Sequence, residues 1–269
     1  MDRLLRPAPI PLPEDDDAPI GRVLSRREAL ALFGGTGVAL ATAGLGARVL
    51  AQSPAVSAAV SPTSPAASPA VPSCIVRPAL TEGPLFVDLR LDRSDIRLDT
   101  DGSMVDGTPL ELRFLLARID GSACTAFEGA IVDVWHCDAQ GIYSAVNTMG
   151  METSDQIYLR GYQVTDANGA VAFTTIVPGW YSGRAVHIHF KIRTFADAQT
   201  TWDFTSQLFF EEAWLADAYA LEPYAARGPA DVPNGQDGIY RQGGDQLLLA
   251  PSSSGDGYAA TFQIGLQMS

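Results

Sequence analysis

The sequence predicts an all-β protein, an antiparallel β-sandwich with long loops and little helix. Short runs rich in β-branched and aromatic residues alternate in polarity and are separated by turn-forming Gly, Asp and Asn. One stretch alone, Glu211 to Tyr224, reads as a helical or irregular excursion. No internal repeat is present.

The chain has 269 residues and divides by composition into three parts. Residues 1–51 read as a twin-arginine (Tat) export signal. Ser25-Arg26-Arg27 stands ahead of a weakly apolar run from Ala29 to Leu50, and Val49-Leu50-Ala51 offers a small-residue cleavage site. Five glycines and two threonines make that run poorly suited to a bilayer, although its length would allow an uncleaved anchor. Residues 52–73 contain almost only Ala, Ser, Pro and Val, which bury no core and favour extended conformations; they read as a linker. The folded body is expected over residues 74–269, a length suited to one domain. Localisation follows from the signal: periplasmic, extracellular or cell-surface, with the Tat machinery as a transient partner.

Within the body, Leu110 to Ile119 begins in strict alternation and ends at Asp120-Gly121, a turn signal. Gly129 to His136 is a second strand. Tyr158 to Val164 and Ala170 to Ile176 flank Asp166-Ala-Asn-Gly169, which reads as a hairpin turn. Val186 to Thr194 is the next strand, Thr205 to Phe210 a short one, and Tyr258 to Leu266 closes the body.

The net charge is −13, and an export signal carrying six basic and six acidic residues leaves it unchanged when removed. Such a surface disfavours nucleic acid, and no lipid-specific binding is expected. Lys191 is the only lysine. Three cysteines, Cys74, Cys124 and Cys137, allow one disulfide in an oxidising compartment. Cys74–Cys124 is the favoured pairing because Cys137 lies in a strand leading toward the candidate site; three reduced thiols are the alternative.

The chemistry concentrates in Pro178 to Phe190. Two of the chain's three histidines, His187 and His189, lie one residue apart there. On a strand both imidazoles project from one face, which is how a metal site looks in sequence. No Asp or Glu lies between Asp166 and Asp197, so the conspicuous neighbours are phenols: Tyr181, across a Gly-Ser-rich turn, and Tyr143, after Gly141 at the end of the strand segment Val132–Ser144, where a strand exit would point it inward. Phenolates are hard, strongly donating oxygen ligands, and iron(III) suits them better than zinc or magnesium. Arg184 stands three residues before His187. His136, the third histidine, and Cys137 read as structural.

Thr81-Glu-Gly-Pro84, the Gly129–Ser144 segment, Leu159 to Asp166 and Pro178 to Phe190 occur together and in one order. In this the chain resembles the intradiol ring-cleavage dioxygenases, related to protocatechuate 3,4-dioxygenase and catechol 1,2-dioxygenase, over about Thr81 to Gln207. The resemblance implies Fe(III) as cofactor, with Tyr143, Tyr181, His187 and His189 as ligands. It implies Tyr181 and His189 as axial, and a catechol and O2 as substrates. It implies that Tyr181 leaves on substrate binding and acts as a base, that Arg184 stabilises developing charge, and that Gln207 supports the site from the next shell. The product expected is a cis,cis-muconate. Leu85-Phe86 stand where relatives often carry a tyrosine after the proline, so the ring substituent is left open. An oligomer is possible, though residues 52–73 cannot form the helical segment through which catechol 1,2-dioxygenases pair. Two other classes compete: another oxygenase built on the His-x-His strand, and a non-catalytic exported sandwich binding an aromatic or saccharide ligand.

Overall fold

The computed structural model describes residues 74–196 and 199–268. The export signal and linker expected over residues 1–73 lie outside the described residues. Twelve strands are described: β1 (Pro109–Asp120), β2 (Ala123–Ala126), β3 (Ile131–Trp135), β4 (Asn147–Thr148), β5 (Met151–Glu152), β6 (Arg160–Val164), β7 (Ala170–Ile176), β8 (His187–Ala196), β9 (Gln199–Phe210), β10 (Leu248–Leu249), β11 (Ser252–Ser254) and β12 (Gly257–Gln267). One α-helix, α1 (Glu212–Tyr219), follows β9.

Two five-stranded sheets make the body. The first runs β11-β12-β1-β2, with β7 also on β1; the second runs β10-β9-β8-β3-β6. Alternation assigns each strand an inner face. Leu110, Leu112, Phe114 and Leu116 of β1 are fully buried, as are Ile188, Phe190 and Ile192 of β8. The Phe114 ring meets Phe190 at 5.4 Å and Phe262 of β12 at 6.0 Å, so one aromatic cluster joins the two sheets. Burying those rings supplies a large share of the driving force, since each aromatic removes about 150–250 Å² from water. The all-β sandwich is therefore the observed fold.

Its strand orientations are mixed rather than purely antiparallel. β12 runs parallel to β1, from Leu110 opposite Tyr258 to Ile119 opposite Gln267, and β10 runs parallel to β9. Alternation records which face a side chain takes and carries nothing about direction. The long connection after β9 brings the chain back to the start of the first sheet. A second correction concerns Asp166–Gly169, which is not a hairpin turn. β6 pairs with β3 and β7 with β1, so this turn crosses between sheets. The turn chemistry is local and correct, with Asp166 Oδ1 accepting from the Asn168 and Ala170 amides at 2.8 Å each. The strands diverge because each has a better partner in its own sheet. The strand expected at Thr205–Phe210 extends back to Gln199, where its polar start Gln-Thr-Thr pairs with the end of β8.

Cys74 and Cys124 form the disulfide, closing a separation of 50 residues, and Cys137 is free and buried. Breaking this link with Cys124→Ser is expected to cost about 2–5 kcal/mol. Urea midpoints of wild type and variant, each with and without reductant, check this; reductant should shift only the wild type.

Candidate metal and active site

His187 and His189 open β8 on the face opposite the core, as strand spacing requires. Their Nε2 atoms lie 3.0 Å apart. His187 Nδ1 lies 2.6 Å from the Ala185 carbonyl, so it donates that proton and leaves Nε2 with a free lone pair. Burial pulls His187 down to about 3 and His189 well below the ordinary imidazole value, the charge of Arg184 adding to both. Both rings are thus neutral at working pH, the form that binds metal. The His189 ring stacks on Trp135, its cross-strand partner on β3, at 4.8 Å and 6°.

Tyr143 sits in the loop after β3, not at a strand end. β3 stops at Trp135, and Asp138 then organises a turn whose Oδ1 accepts from the Gln140 and Ile142 amides. Tyr181 sits in the loop between β7 and β8. These loops interlock through glycines. Gly179 and Gly141 both donate to the Asp138 carbonyl at 3.0 Å. A Cβ on Gly141 would stand 2.1 Å from the Trp180 carbonyl oxygen, and one on Gly179 2.4 Å from that of Ala139. Close backbone contact brings the two phenol rings to 5.7 Å, with Tyr181 Oη 3.4 Å from His187 Nε2.

The four side chains expected to hold metal therefore converge. Tyr143 Oη is buried without a hydrogen-bond partner among the described residues, as is His189 Nδ1. An unpaired buried hydroxyl is costly unless something outside the protein pairs with it. Burial, then the neighbouring Tyr181, raises Tyr143 well above the ordinary phenol value. Burial also raises Tyr181, against the charge of Arg184. Without an added cation both phenols stay protonated. Two neutral imidazoles and two phenols short of a charge fit a strong, hard Lewis acid such as iron(III). Among the described residues no three His, Cys, Asp or Glu side chains cluster as a metal site.

Arg184 is held on two sides. Its Nε donates to Asp237 Oδ2 at 2.9 Å and its Nη2 to Gln207 Oε1 at 2.5 Å, while Nη1 lies 3.4 Å from His187 Nε2. Gln207 stands opposite His189 across the β8–β9 pair and donates through Nε2 to the Thr81 carbonyl. It reaches Arg184 rather than the phenols. The Thr81–Pro84 loop passes over the histidines, where a Cβ on Gly83 would lie 3.8 Å from His189 Cε1. Leu85 and Phe86 pack against Trp135 and Tyr143. Further along the same face of β8, Lys191 pairs with Glu82 and Asp203, and Arg193 with Asp88 and Asp133. These pairs tie the N-terminal segment down beside the site.

His136 is structural, as expected. Its Nε2 lies 2.6 Å from Thr175 Oγ1 and its Nδ1 2.8 Å from the Cys137 carbonyl, away from the cluster. Sequence reasoning missed Asp237, which has no local signal, and the roles of Trp135 and Arg160. The Arg160 guanidinium lies 5.9 Å from the Tyr143 ring and donates to the Ser144 carbonyl, so it braces the residue after the phenol.

A family model described as dioxygenase matches residues 81–227. Chlorocatechol 1,2-dioxygenase of Pseudomonas sp. (strain P51) is 31% identical over 124 residues, 38% of this chain and 44% of its own length. Catechol 1,2-dioxygenase 1 of Acinetobacter lwoffii is 26% identical over 150 residues, 47% of this chain and 45% of its own. The chain thus spans about half the length of the curated relatives it matches. An intradiol ring-cleavage dioxygenase from Tetranychus urticae superposes with a TM-score of 0.60 at 29% identity, covering 72% of this chain and 94% of the other. The dioxygenase domain of a dioxygenase carbohydrate-binding protein fusion from Streptomyces sp. SirexAA-E gives 0.50 at 27%, covering 72% and 100%.

Proposed function

Since the chain belongs to the intradiol dioxygenase family, we propose that it opens catechol-type rings with O2 between the two hydroxyl-bearing carbons, as an iron(III) enzyme producing cis,cis-muconates. The observation that carries this reading is the buried, unpaired Tyr143 hydroxyl beside Tyr181, His187 and His189. Bound by these four residues, iron(III) would supply Lewis acidity toward a chelated catechol and make its ring reactive toward O2.

The protein's own part follows from geometry. Tyr143 is enclosed and stays, while Tyr181 is half-buried on a loop and is the phenol free to swing away. With iron(III) bound Tyr181 would be a phenolate, a form that the charge of Arg184 favours, and on substrate binding its Oη would take one catechol proton. Arg184 Nη1 then faces the space Tyr181 leaves and stabilises negative charge building on the ring. Leu85, Phe86 and Trp135 keep water from one side. Oxygen uptake against a panel of catechols, with products identified as muconates, tests the reading. Purified ferric protein should be burgundy from tyrosinate-to-iron charge transfer. Iron-replete but colourless protein would remove the tyrosine ligands from the scheme.

Export through the Tat route, to the periplasm, cell surface or medium, belongs to the same proposal. The Cys74–Cys124 disulfide supports it, since such links persist in oxidising compartments. Replacing Arg26-Arg27 with two lysines should trap the protein in the cytoplasm, read by fractionation; unchanged export would refute the route.

A further inference from the structure

We propose that Asp237 is the positioning residue that aims Arg184 at the substrate, an inference that rests on the function proposed above. Asp237 lies beyond the residues 81–227 matched by the family model and 53 residues from Arg184. Its side chain is 1% exposed, against 17% for Arg184. It is no loose surface pair. Oδ2 accepts from Arg184 Nε at 2.9 Å and from the Ala185 amide at 2.8 Å. Oδ1 accepts from the amides of Ile239 at 2.7 Å and Tyr240 at 3.2 Å. The carboxylate is therefore clamped by backbone from both segments and cannot rotate.

A guanidinium is a rigid planar fork, so fixing two of its nitrogens fixes the third. Asp237 takes Nε and Gln207 takes Nη2, which leaves Nη1 turned toward His187 and the ligand cluster. Electrostatic stabilisation depends on charge placed before the reaction, with no reorientation during it. Remove Asp237 and the fork keeps a single tether at Gln207, about which it can swing. The placement of Arg184 is then an equilibrium rather than a fixed direction. Because Asp237 also orders the turn after Asn234–Gln236, a purely structural role must be separated from this one by experiment.

The test is a double-mutant cycle on the ferric protein with Asp237→Asn, Arg184→Ala and the pair. Asp237→Asn should retain iron, its visible band and catechol affinity within about threefold by anaerobic titration, while kcat falls roughly 10- to 100-fold, the usual loss for outer supports of a metal site. In the Arg184→Ala background, adding Asp237→Asn should change kcat less than about twofold, since the residue acts through Arg184. Losses that multiply, or a wild-type kcat in Asp237→Asn, overturn the proposal. Should the amide variant not fold, Asp237→Glu is taken through the same cycle: it keeps the charge but displaces the fork, and the same criteria apply. Wild-type protein that consumes no oxygen with any catechol would instead defeat the proposed function, a separate outcome.

Discussion

Tyr143→Phe should leave the protein folded while stripping it of iron, bleaching its visible band and lowering turnover by more than the roughly 100-fold typical of lost outer supports. The reason lies in the free protein. Tyr143 is 1% exposed and its hydroxyl makes no hydrogen bond among the described residues, so phenylalanine removes an oxygen and nothing that holds the fold. Deleting an unsatisfied buried hydroxyl is neutral or stabilising. The ring stays packed with Leu85, Trp135 and Val146. Thermal midpoints of the metal-free proteins should therefore match or favour the variant, while metal content, absorbance and oxygen uptake collapse together. A variant that keeps the band, or that loses stability by several degrees, would show that this hydroxyl has another task. His189→Ala should bleach the protein as well, but it also opens a hole against Trp135, so its stability falls too.

Gly141→Ala is the second large effect, and it acts on stability first. Gly141 has φ +80°, and a methyl there would stand 2.1 Å from the Trp180 carbonyl oxygen, far inside van der Waals contact. Arg227 Nη1, at 2.8 Å, is the end of a side chain and could turn aside, but the Trp180 carbonyl is backbone and could not. Strain plus overlap should cost about 3 kcal/mol or more. At this size that lowers the thermal midpoint by roughly 6–12 °C. The same contact sets the distance between the tyrosine loops, so iron affinity should fall with it. Gly183 is the internal control. It also has positive φ, at +92°, but nothing lies within 4 Å of its would-be Cβ. Gly183→Ala should lose only about 1 kcal/mol. Equal midpoints for the two variants would mean that the interlock at Gly141 is not rigid.

Much of the site was legible because it depends on short spacing. A two-residue step on a strand puts His187 and His189 on one face, whatever the rest of the chain does. The same step places Lys191 and Arg193 beside them. The disulfide could be favoured for a related reason, since Cys137 lay close to the site's own elements. Tyr143 is legible as a phenol at the end of a strand segment, yet the chain around it is a loop, since β3 stops at Trp135.

What could not be read depends on distant partners. Alternating Leu110 to Leu116 and Phe262 to Leu266 predict inner faces, yet nothing in them says that the two strands run parallel. The Asp166–Gly169 turn has hairpin chemistry, and only competition between sheets sends its flanking strands apart. Asp237 looks like any acidic loop residue in a chain with 31 of them, until the fold brings it under Arg184. Residue types and close spacings thus pick out the candidate groups: two imidazoles, two phenols and one arginine. Their convergence, the interlock of Gly141 with Trp180 and the clamp on Arg184 arise only when segments far apart in the chain pack together. Local sequence encodes which face a side chain takes, whereas long-range packing energy sets what it meets there.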